Sequence, residues 1–339
     1  MILNVYSMVG LFIDSLSLIL IGWVVLLSLQ LARRWGPAQS AEERTLVEER
    51  SHLVLLVAVI LLGIRLVNWL FFYTMLHSFI RDLDGAMCIF GVTQVQRGLT
   101  RVAELLKPLA FFVMGAWLLL HFLDRATPSS SLMRTKLLFL AVTGLVAALE
   151  SVADIAIIVN VAPGKLVSCC TTVTDILERP TRVVPTSIVG PHYASILQYA
   201  YFVSNGLLLL LLAVTLGYVK HSASPGRRRA VLGAVFVFAI FNGIIFLLGQ
   251  IEVHAPVIMG LPFHRCLYCM WQYVPDTILM YGLFILGTAA PGWALILDML
   301  GRTKETEENL LRYLNGLYGV GMFCIAASMT MNTVHLLAV

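Results

Sequence analysis

The sequence predicts an all-α polytopic membrane protein with eight transmembrane helices, both termini outside and its cysteine-bearing loops on the outer face. Three observations carry that prediction. Of 339 residues, 59% are hydrophobic and only 12% charged, with a mean hydropathy of +0.87, whereas soluble domains run at about half apolar and a quarter charged. The apolar residues are gathered into eight runs, each long enough to supply the ~20 residues that cross a bilayer as a helix. The lysines and arginines between the runs fall unevenly on the two sides.

The runs are 9-32, 53-77, 102-123, 136-161, 194-219, 230-252, 277-299 and 310-337. Polar or helix-breaking stretches separate them: Arg33-Arg34-Trp35-Gly36-Pro37, Thr127-Pro128-Ser129-Ser130-Ser131, Ser224-Pro225-Gly226-Arg227 and Gly301-Arg302-Thr303-Lys304. No stretch fits a soluble domain, so the chain reads as one transmembrane domain over residues 1-339. Met1 to Ala32 lacks the basic start and small-residue cleavage site of a signal peptide and carries Asp14, so it reads as a retained first span. In span 7, Pro291-Gly292 marks an expected kink or break.

Loops after spans 1, 3, 5 and 7, with their span ends, hold 14 Lys and Arg against 8 on the opposite side, with Arg65 inside a span. Basic residues are retained on the cytoplasmic side, so both termini are expected outside. Loops 78-101, 162-193 and 253-276 then share the outer face. They carry Cys88, then Cys169 and Cys170, then Cys266 and Cys269. Cys324, inside span 8, reads as a small buried hydrophobe.

His264-Arg265-Cys266-Leu267-Tyr268-Cys269 draws the most chemical notice. Thiolate and imidazole suit zinc and copper(I), and Cys-x-x-Cys equally suits reversible disulfide exchange. His264, Cys266 and Cys269 offer three ligands, with Cys169, Cys170 and Cys88 as thiols from the other loops and His254 as a further imidazole. An oxidising compartment would favour disulfides stapling these loops. Five outer cysteines is an odd number, so at least one thiol is free, metal-bound or paired with another chain. The order is not that of c-type haem attachment, because Met270, not His, follows the second Cys.

Within the spans the unusual residues are Arg65, Glu150, Asp154 and Glu252, with Asn68, Asn242 and Gln250. Glu150 and Asp154 are four apart and share a helix face. Ionised groups at such depth need partners or water, and Arg65 is the expected counter-charge. The group reads as a proton or cation path beneath the thiols, or as an ion-pair network locking the helices. No nucleotide loop, serine-hydrolase elbow, zinc-protease motif or paired-histidine haem pattern occurs. A net charge of +4 spread over short loops gives nucleic acid no support.

Three functions fit these residues. The first is an outer-face Cys/His site that binds a soft metal ion, Cu or Zn, and transports it or delivers it to a periplasmic acceptor, in a bacterial inner membrane. The second is a quinone-linked thiol-disulfide oxidoreductase using Cys266, Cys269, Cys169 and Cys170. The third is a non-catalytic subunit whose disulfide-stapled loops contact lipid and other membrane subunits. Whether the chain is an enzyme stays open among them.

Overall fold

The computed structural model describes residues 3-35, 41-127, 131-168, 170-221 and 225-338, and its regular elements are all helices. In chain order these are α1 (Val5–Arg34), α2 (Ala41–Ser78), α3 (Ile89–Val95), α4 (Arg97–Arg125), α5 (Met133–Asn160), α6 (Thr171–Thr174) and α7 (Pro180–Val189). They continue with α8 (Tyr193–His221), α9 (Pro225–Gly249), α10 (Ala255–Ile258), α11 (Leu267–Tyr273), α12 (Thr277–Leu300) and α13 (Glu307–Ala338). Among the described residues, eight helical spans are long and apolar enough to cross a bilayer. They lie on α1, α2, α4, α5, α8, α9 with α10, α12 and α13.

Each span coincides with one of the apolar runs and several overshoot it, as Thr45–Asp82 does 53-77 and Gly226–Ile258 does 230-252. Hydropathy marks only the part within hydrocarbon, while backbone hydrogen bonding carries the helix on into the polar layer. Phe12, Trp23, Leu56, Ile60, Leu210 and Phe323 are all exposed on these helices. Apolar side chains displayed on that scale belong against lipid. The chain is an integral membrane protein.

The chain falls into two compact units, Met1–Val167 with Thr303–Thr306, and Ser168–Arg302 with Glu307–Val339. In the first, α1 packs along α5 and α2, and α4 packs on α5. Asn4 starts α1 with a capping box, its side chain accepting from Ser7 N and its own N donating to Ser7 Oγ, both at 2.9 Å. Asn4 Nδ2 also donates to Ser78 Oγ at 2.9 Å, tying the start of α1 to the end of α2. Ile21, Leu55, Leu62, Trp117 and Leu137 are buried between the helices, and Trp117 Nε1 donates to Lys136 O at 3.0 Å. The α1–α5 approach is close at Gly144, where an added Cβ would collide with Val25 Cγ2.

In the second unit α12 packs on α13 and α9, and α8 packs on α9 and α13. Gly287 allows the closest approach of α12 to α13, because a Cβ there would lie 2.7 Å from two side-chain carbons of Ile325. Without a hydrophobic force between helices in lipid, small residues at the contact are what permit such packing. Pro291 and Gly292, expected to kink or break the span, lie inside one continuous helix, Thr277–Leu300. The break falls elsewhere, where a π-helical turn at Gln250–His254 separates α9 from α10.

Gly287→Val should lower the thermal midpoint in detergent by the equivalent of about 1–3 kcal/mol, the usual cost of overpacking. Gly282→Ala on the same helix meets nothing within 4 Å and should not lower the midpoint. Equal midpoints for Gly287→Val and wild type would show that the two helices do not meet there.

Candidate metal centre

The second unit gathers three of the expected thiols. Cys170 stands at the N-terminal edge of α6 and Cys266 at that of α11, with Cys269 inside α11 three residues later. Positions three apart on a helix lie on the same side one turn up, so Cys266 and Cys269 point the same way. Gly260, at φ +64°, makes this possible by ending α10 in a left-handed turn. There Gly260 N bonds Val257 O at 2.9 Å and Leu261 N bonds Pro256 O at 3.0 Å, a reversal that glycine tolerates without steric cost.

Cys170, Cys266 and Cys269 are buried, with sulfur atoms within 4.8 Å of one another. Cys170 Sγ lies 3.6 Å from Cys269 Sγ and 3.8 Å from His264 Nε2. The other ring nitrogen of His264, Nδ1, meets Asp175 Oδ2 at 2.8 Å. A carboxylate only accepts, so Nδ1 carries a proton, and in the neutral ring it is Nε2 whose lone pair lies on the side of Cys170. Asp175 is fixed in turn, since its Oδ1 accepts from Thr174 Oγ1 at 2.8 Å and from Arg265 N at 3.2 Å. A histidine held by a carboxylate behind three buried sulfurs is a donor set that could bind a metal. Comparison with protein-family models, curated proteins and solved structures finds no match.

Three further ligands were expected from the sequence. Cys169 lies outside the described residues. Cys88 belongs to the first unit, where it is buried at the N-terminal edge of α3 and its carbonyl accepts from Gly91 N at 3.0 Å. His254, weighed as a further imidazole, is not at the thiols: its Nδ1 lies 3.2 Å from Gln250 Nε2 and 3.1 Å from Asn332 Nδ2, inside the helices. Cys324 is buried in α13, as expected of a small hydrophobe. The expected disulfides are not found, because no two described cysteines are joined.

Glu252 has its own partners in the second unit. Arg179 grips it with two nitrogens, Nε to Oε1 at 2.8 Å and Nη2 to Oε2. Thr181 Oγ1 donates at 2.5 Å and Tyr193 OH at 2.7 Å, and Arg265 Nε approaches to 3.5 Å. Hydrogen bonding to Glu252 holds Arg179 above the usual arginine range, whereas burial and the neighbouring Arg179 lower Arg265. A cavity of about 470 Å³ opens beside this clamp, lined by Ser195, Gln198, Glu252, Pro256, Gly260 and Arg265. The chain segment bearing Cys170 and His264's partner Asp175 is therefore pinned to the helix end through Arg179.

In the first unit Arg65 does meet Glu150 and Asp154, with Nη2 at 2.9 Å from Glu150 Oε2 and 3.6 Å from Asp154 Oδ2. Two charges join them beyond the expected set. Asp14 pairs with Arg65 Nη1, and Lys107 Nζ reaches Asp154 Oδ2 at 2.8 Å and Glu150 Oε1 at 3.2 Å. Sequence reasoning also missed Asp175. The available signal was chemical: a metal-facing histidine needs an acceptor on its far nitrogen, and Asp175 is an acid close to Cys170.

Glu252→Ala would leave two arginines facing each other without their shared carboxylate. Breaking a buried pair costs about 3–5 kcal/mol, so residues 170-193 should become cleavable by added protease while the spans stay intact. A digestion pattern identical to wild type would show that the clamp does not hold this segment.

Proposed function

We propose that this membrane protein holds a soft metal ion, zinc in the first instance, with Cys170, Cys266, Cys269 and His264 as its four ligands. The observation that carries the reading is the spacing of the donors. Zinc bound to sulfur at about 2.3 Å and to nitrogen at about 2.0–2.1 Å sets tetrahedral edges of about 3.8 Å between sulfurs and about 3.6 Å between sulfur and nitrogen. Sulfur–sulfur and sulfur–nitrogen separations of 3.6 and 3.8 Å suit such a shell. Asp175 would orient His264 and raise its basicity, and a bound cation would supply charge compensation for three thiolates, which deprotonate on binding.

A closed set of four protein donors favours retention of the ion over transit, because no coordination position is left for water or an exchanging ligand. The reading therefore assigns the metal to bracing the cysteine loops, and capture and delivery to an acceptor is the competing use of the same ligands. On the orientation expected from the basic loops, these ligands face outside, the periplasmic side in a bacterial inner membrane. Copper(I), which accepts fewer ligands, is the alternative ion.

The test is metal content and thiol count on protein purified anaerobically in detergent. One zinc per chain is expected at neutral pH, lost in Cys170→Ser, Cys266→Ser and Cys269→Ser and retained in Cys324→Ser. Asp175→Ala should bind about 10–100-fold more weakly. Acidification should release the ion, since protons compete for thiolate and imidazole, and restoring pH should allow rebinding. Copper in place of zinc, with His264→Ala still loaded, would favour a delivery site. Metal-free protein that accepts no added ion would overturn the reading.

A further inference from the structure

We infer that the first unit contains a proton-binding site inside the membrane, where Asp14, Glu150 and Asp154 share one proton around Arg65 and Lys107. The inference stands apart from the metal centre and rests on a count of charges. The side chains of all five groups are at most 3% exposed. They are linked by the contacts of Arg65 and Lys107 described above into one cluster, with Asn68 Nδ2 donating to Asp14 Oδ1 at 3.2 Å. Three carboxylates against two cations leave an excess negative charge among groups buried away from solvent. An uncompensated ion in such a medium costs several kcal/mol or more, and a carboxyl group escapes that cost by taking up a proton.

Depth and openness both favour a proton as the ligand. At 1.5 Å per residue, Asp154, Asp14, Lys107 and Arg65 lie roughly 9 to 20 Å from the helix ends near Val5, Ser78, Arg97 and Asn160. Lys107 Nζ also sits 3.9 Å from the centre of the Phe72 ring, so its remaining surroundings are apolar. Asp154 Oδ1 is buried with no hydrogen-bond partner among the described residues. One open oxygen suffices for a proton, while calcium or magnesium needs about six oxygens. Among the described residues, Tyr73 of α2 lies in electrostatic reach of Asp154, and Glu104 of α4 in reach of Tyr73. Both are half-buried, and a charge on Glu104 would add to the negative excess.

Infrared spectroscopy of the purified protein tests this directly, using the C=O stretch of a protonated carboxyl and its downshift in D2O. Wild type at neutral pH should show one carboxyl's intensity that disappears in at least one of Asp14→Asn, Glu150→Gln and Asp154→Asn. Lys107→Met removes a cation and should raise that intensity to that of two carboxyls. A wild-type spectrum with no protonated carboxyl overturns the proposal without any variant having to fold. A Lys107→Met spectrum unchanged from wild type overturns it as well.

Discussion

A charged group inside a bilayer must bring its counter-charge with it, and in the first unit Arg65 meets that demand. Standing on α2, it reaches Asp14 on α1 and Glu150 and Asp154 on α5, while Lys107 enters the same knot from α4. Every span of that unit contributes a member. Rotating any of these helices by one residue would swing an ionised group about 100° toward lipid, so the knot sets the angular register of all four. The apolar contacts around Leu55, Trp117 and Leu137 then fill space whose arrangement the charges have limited.

The second unit solves the problem of buried polarity differently. Gln250, His254 and Asn332 form one neutral hydrogen-bonded set and Asn242 donates to Asn205 Oδ1 at 3.1 Å, while the buried Arg228–Asp298 pair lies near the helix ends at Pro225 and Leu300. The Glu252 charge is held where α10 approaches the loops, and the Arg179 grip keeps it there. The unit's reactive chemistry lies in the connecting segments, where three thiols and a carboxylate-backed imidazole converge. A segment as short as α6 has little stability of its own. It keeps its place because Cys170 meets Cys269 and the adjoining Asp175 meets His264 and Arg265 N.

The spans were legible because lipid imposes a long uninterrupted apolar run that few other folds require. Their extra turns were not, since a helix leaving hydrocarbon carries charges as readily as a loop does, as Arg97 and Arg101 do at the start of α4. Arg65 could be named as counter-charge because nothing else basic sat mid-span, while Lys107 looked like the edge of its run. Cys170, Cys266, Cys269 and His264 were readable from residue type and spacing. His254 was misassigned because sequence cannot tell a histidine facing a loop from one turned inward by a π-helical turn. Disulfides were expected from compartment alone, an argument that knows nothing of which thiols meet. Pro291 read as a kink or a break because its missing N–H disrupts a helix; the helix is not broken there.

The depth of the Arg65 knot has an electrical consequence. A charge at a helix end sits outside the membrane's field, but one carried several residues inside an apolar run that crosses a ~30 Å hydrocarbon layer sits within it. Carrying one elementary charge across the whole layer is worth about 2.3 kcal/mol per 100 mV. Any change in the net charge of Asp14, Arg65, Lys107, Glu150 and Asp154 therefore exchanges a part of that energy with the transmembrane voltage. Ion pairs this deeply buried are in this way also a contact with the electrochemical state of the cell.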